Sequence, residues 1–103
     1  MSVLVEFSVV PMGTGVSVSP IIAKVLGIVV NSGVSYRANP MGTVLEGDWD
    51  TVMEIVRKCH DEVMKEAGRA ITTIRVDDRK DTKPRMEKKL ASVEQKLGMK
   101  LAK

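Results

Sequence analysis

Few residues in this chain could do chemistry. There is one histidine, His60, and one cysteine, Cys59. Together they can build neither a zinc cluster nor an internal disulfide. His60 lies four residues after Val56 and three before Val63, which places it on the apolar side of a helix. A histidine in that setting usually completes a packing hydrogen bond and is seldom a general base. Cys59 lacks a second thiol and an evident cationic setting, so it reads as structural. Gly13-Thr14-Gly15 does not continue as GxGxxG, and no Walker lysine follows it. No catalytic pair and no metal set emerges. The expectation is a binding protein, not an enzyme, with no catalytic residue, no metal and no cofactor.

The polar residues suggest binding. Glu46 falls in Gly42-Thr43-Val44-Leu45-Glu46-Gly47, on a strand in the middle of the fold, where a carboxylate needs a partner. Two readings stand side by side: an ion pair with Arg75 or Arg37, or an anchor for a ligand. Gly13, Ser17 and Ser19 precede a helix N-terminus, where backbone amides hold anions. Arg75 and Arg79 could join them around a sulfate or phosphate. The run Asp77-Asp78-Arg79-Lys80-Asp81 reads as a solvated strand exit, with ion pairing in an oligomer as the alternative.

The elements that must position these groups follow from periodicity. Val3, Val5, Phe7 and Val9 alternate with Leu4, Glu6 and Ser8, which predicts a half-buried strand over 3–9. A Gly/Ser loop follows from Pro11. Ser19-Pro20 reads as N-cap and first helical residue, with Val18 as a staple, and the helix runs to about Ser32 with Gly33 beyond its end. Val34–Ala38 and Thr43–Gly47 form a hairpin through Asn39-Pro40-Met41-Gly42, which carries type I turn chemistry. Asp48 caps a second helix predicted to reach Gly68. Ala70–Asp77 is a fourth strand. A last helix opens at Thr82 or Lys83, near Pro84, with Met86, Leu90, Val93 and Leu97 as its apolar stripe. The order is α+β: a ferredoxin-like βαββαβ sandwich with an extra C-terminal helix, one domain over residues 1–103.

In that topology two helices cover one face of the sheet. Val3, Val5, Phe7, Val9, Thr43, Leu45, Thr72, Ile74 and Val76 are expected to face them. Leu4, Glu6, Ser8, Ser35, Arg37, Val44, Glu46, Thr73 and Arg75 face the other way. The open face mixes apolar groups with both signs of charge, as a wet self-complementary interface does. From Pro20 to Val30 only Lys24 is charged, so the first helix calls for burial on more than one side. A homo-oligomer is the expectation.

Composition excludes other classes. Phe7, Tyr36 and Trp49 are the only aromatics, too few for a stacking platform on nucleic acid. Residues 1–78 carry net charge −3 and residues 79–103 carry +6. The basic tail is interleaved with Asp81, Glu87 and Glu94, which reads as a solvated helix face. The apolar stretch 21–30 is too short to span a bilayer. Met1-Ser2-Val3-Leu4-Val5-Glu6 shows no signal-peptide character, and a lone thiol fits a reducing cytoplasm. No nucleic-acid or membrane partner is expected.

A wider pattern joins these pieces. Pro11-Met12-Gly13-Thr14 with Ser17 and Ser19, Pro40-Met41-Gly42-Thr43, Glu46-Gly47, Trp49-Asp50, Val52-Met53, His60, Gly68-Arg69 and Thr73-Ile74-Arg75 through Arg79 and Asp81 stand in that order. Over nearly its whole length the chain resembles the thiamine-binding protein family. The resemblance implies a ferredoxin-like fold, dimers joined through their sheets, often paired into tetramers, and no established catalysis. It also implies binding of thiamine or its hydroxymethylpyrimidine part at subunit interfaces, with Gly42, Thr43 and Glu46 as ligand positions and Ser17 and Ser19 beside them. Tyr36 could flank a flat ring.

Overall fold

Alternating burial along the N-terminal residues makes the central strand. In the computed structural model β1 runs Val3–Met12, and its odd-numbered residues are buried from Val3 through Pro11. The structure describes residues 2–13, 18–80, 86–98 and 100, with backbone only for 86–89. The other elements are α1 (Ser19–Asn31), β2 (Ser35–Asn39), β3 (Gly42–Gly47), α2 (Trp49–Met64), β4 (Arg69–Asp78) and α3 (Met86–Leu97). The four strands form one antiparallel sheet in the order β2-β3-β1-β4. That is the expected ferredoxin-like arrangement, with α3 appended.

Asp48 caps α2 as predicted: its side chain accepts a hydrogen bond from the Thr51 amide at 3.4 Å. The helix stops at Met64, short of Gly68, because the Glu66 and Ala67 amides both close back on the Val63 carbonyl. For α1 the predicted cap is displaced. Val18 holds the cap position with φ −111° and ψ −3°, and its carbonyl takes the Ile22 amide at 3.0 Å. Ser19 is therefore already helical and caps nothing, while Pro20 sits in the first turn as expected. Gly33, at φ +78°, takes the left-handed conformation that ends the helix. The proposed start of the last helix at 82–84, the Met86 side chain and Ser17 lie outside the described residues.

The core sits between the sheet and the two helices. Val5, Leu45, Val29, Val52, Val63 and Cys59 are its fully buried centre. Thr43, 8% exposed, joins them on the helix side. Thr72, Ile74 and Val76 point the same way, opposite Val9, Phe7 and Val5. They are not core residues, however. Ile74 and Val76 are exposed and Thr72 is half-buried, because β4 is an edge strand that the helices cover only in part. The outer side of α1 likewise keeps Ile22 and Val30 exposed. Val93 and Leu97 of α3 are exposed too.

Candidate functional site

β1 is longer than the strand beside it. It pairs with β4 along its whole length, from Val3↔Asp78 to Met12↔Arg69. Its pairing with β3 ends at Phe7↔Thr43. The chain reverses there through a two-residue loop, Pro40-Met41, between Asn39 and Gly42. Among the described residues no non-glycine has positive φ, which fits the type I turn that proline pre-sets. Gly42 permits a close approach at this point: a Cβ there would stand 3.2 Å from the Phe7 carbonyl oxygen. The turn is thereby pressed against β1, and past it no described strand pairs with β1 on that side.

α1 roofs the gap. Ile22, Val25 and Leu26, with Phe7 and Val9 below them, enclose a hollow of about 330 Å³. Its mouth is the turn from Asn39 to Thr43, with Met41 91% exposed. Among the described residues the lining is apolar apart from Ser8, Asn39 and Thr43. This is the composition of a small-ligand pocket, near the lower end of the usual size range.

The sequence-predicted residues do not all meet here. Gly42 and Thr43 line the hollow. Glu46, three residues on, belongs to the other face of the regular strand, in a row with Ser35 and Leu4. Tyr36 stands opposite Leu45 on the helix face, away from Glu46, and is not part of the hollow's lining. Ser19 is exposed at the start of α1. Arg75 lies on the open face, where its guanidinium meets Glu6 at 3.4 Å. Arg79 comes just past the end of β4. Sequence reasoning missed the α1 residues of the roof and the bare flank of β1. Pro11 was the signal: a buried proline inside a strand marks a side that needs no hydrogen bond.

On the open face a second, shallower hollow of about 230 Å³ lies between Leu4, Glu6, Val44 and the Arg75–Asp77 stretch. Farther along the same face, Val10, Met12 and Ile71 are exposed.

The remaining chemistry-bearing groups are engaged in packing. His60 Nδ1 lies 2.6 Å from Thr72 Oγ1 and ties α2 to β4. The Cys59 thiol faces the Val25 carbonyl at 3.7 Å, and burial pushes its pKa up to about 11. Lys24, the single charge of α1, reaches Glu66. That hydrogen bond, and the carboxylate's charge behind it, raise the lysine's pKa. Among the described residues no three His, Cys, Asp or Glu side chains gather as a metal site, and no helix is long and apolar enough to cross a membrane.

A short hairpin beside a longer central strand leaves an apolar hollow in a ferredoxin-like α+β fold. The chain belongs to the thiamine-binding protein family, whose sequence model matches residues 5–94. It is 40% identical over 98 residues to a UPF0045 protein of Mycobacterium tuberculosis, covering 94% of this chain and 96% of that one. The crystal structure of a hypothetical protein from Methanocaldococcus jannaschii superposes with a TM-score of 0.84 at 32% identity, covering 91% and 97% of the two chains. A Thermotoga maritima protein described as a candidate for thiamine biosynthesis or salvage shares the fold, with a TM-score of 0.79 at 20% identity over 90% and 99% of the chains.

Proposed function

We propose that this chain is a non-catalytic binding protein for thiamine or its hydroxymethylpyrimidine part, held in the hollow at the β2–β3 turn. One observation carries the reading. Gly42 and Thr43, which belong to the motif shared with the thiamine-binding family, line the apolar hollow beside β1. The salvage role considered for the Thermotoga maritima relative points to the same ligand class. The apolar patch of Val10, Met12 and Ile71 on the open face supports assembly through the sheets, as a homodimer and further as a homotetramer. The alternative, an anion site at Arg75 and Arg79, is less favoured because Arg75 already faces Glu6.

Titration calorimetry against thiamine, its phosphates and hydroxymethylpyrimidine tests this. Binding of at least one is expected. Ile22→Trp, which adds bulk at the exposed rim, should weaken it at least tenfold while leaving unfolding unchanged. Glu46→Gln should leave it intact. A tenfold loss in Glu46→Gln with normal binding by Ile22→Trp would move the site to the open face.

A further inference from the structure

Past Phe7, one flank of β1 is paired by no described strand. In a strand, the N–H and C=O of one residue point to the same side within the sheet, and those of the next residue to the other side. Both registers of β1 run without interruption, so no bulge changes that alternation. The Phe7 carbonyl faces β3, since its oxygen lies within 3.2 Å of where a Gly42 Cβ would be. Two residues on, Val9 points its N–H and C=O the same way. Pro11 does as well, and this is why a proline is tolerated in the strand: its missing N–H would face the bare flank and not β4.

Where Val9 points, β3 has ended. Among the described residues no backbone hydrogen bond outside the ladders reaches Val9, and the β1–β3 ladder stops at Phe7. Yet Val9 is only 6% exposed and borders the hollow. Buried backbone donors and acceptors almost always have partners. Among the described residues, then, one donor and one acceptor of Val9 face an apolar slot without a main-chain partner.

We propose that the Val9 N–H and C=O read the edge of a 4-aminopyrimidine ring, an inference that rests on the function proposed above. The ring nitrogen accepts from the N–H, and the exocyclic amino group donates to the C=O. A ring bound this way lies in the plane of the sheet, with Ile22 and Leu26 over one of its faces. An added peptide strand fits less well, because Pro11 offers no donor and only one residue of β1 could pair with it.

Backbone amide NMR of the whole protein, combined with calorimetry, tests the assignment. In the free protein the Val9 amide should exchange faster than those of Val5 and Phe7, which β3 covers. With 4-amino-5-hydroxymethyl-2-methylpyrimidine it should shift downfield and slow about tenfold or more. The 4-oxo counterpart, which exchanges donor for acceptor, should bind about tenfold or more weakly. Equal affinity of the two compounds overturns the inference, as does a Val9 amide already protected in the free protein. Thiamine binding that leaves Val9 unmoved also overturns it but keeps the proposed function. Protection of Val9 by cytosine, another 4-aminopyrimidine, with no response to thiamine would keep the edge and discard thiamine as the ligand. No protection by any of these compounds would end the proposal.

Discussion

The two halves of β1 obey the same sequence rule and have different fates. From Val3 to Phe7 the strand is paired on both sides. From Ser8 to Met12, among the described residues, it is paired on one side only. Odd residues are buried throughout, so side-chain packing does not distinguish the halves. Backbone pairing does. The first half is scaffold because every main-chain group is used within the sheet. The second half is where the proposed site lies, because no described strand pairs with it on the β3 side. Burial alone would have described β1 as uniform; the register shows where its pairing with β3 ends.

Substitutions on either side of this divide should separate them. Leu45, fully buried opposite Val5 in the closed half, should show the largest effect: Leu45→Ala is expected to cost about 2–5 kcal/mol in urea unfolding. A loss below 1 kcal/mol would mean that the closed half is not the scaffold.

Alkaline pH acts on the roof of the open half through Cys59, which touches Val25. The folded thiol pKa, about 11, lies above its ordinary value of 9.0. Its contribution to stability is therefore complete below pH 9 and is lost as pH rises towards 11. Cys59→Ala should remove that part of the alkaline decline. The native thiol should also resist a disulfide reagent at pH 8 until the protein is unfolded.

At the boundary between the halves, Gly42→Ala pushes a Cβ against the Phe7 carbonyl and should cost about 1–3 kcal/mol. Ligand affinity should fall with it, because the turn must move to make room. On the β4 side of the open half, Thr72 is opposite Val9 and holds His60. Thr72→Val should cost about 0.5–1.5 kcal/mol. A double-mutant cycle with His60→Gln should show the two losses to be less than additive. The smallest effect belongs to the open face: Glu6→Gln, which removes an exposed ion pair, should change stability by less than about 1 kcal/mol, and less still in high salt.

Much of the scaffold was legible from the residues. The alternation from Val3 to Val9 gave the first strand its core face, and Asn39-Pro40-Met41-Gly42 and Asp48 announced a turn and a cap. The opposed directions of Thr43 and Glu46 followed from strand periodicity, so their separation in space was foreseeable. Other features depend on three-dimensional coverage. Ile74 and Val76 look like core residues in a strand pattern, and only their place on an edge strand exposes them. Pro11 resembles the end of a strand until it is known that no described strand pairs on that side. Ser19 resembles a cap more than Val18 does, but the helix takes its first bond from the Val18 carbonyl. The hollow itself was not legible, because it comes from a mismatch in length between two strands that are distant in sequence.

That mismatch works as a ruler. The β2–β3 hairpin ends where Phe7 ends, and one more residue on each of its strands would carry the ladder towards Val9. The cavity is thus set by counting and only secondarily by composition. A duplication or deletion of two codons at the turn would close or widen it without touching the core.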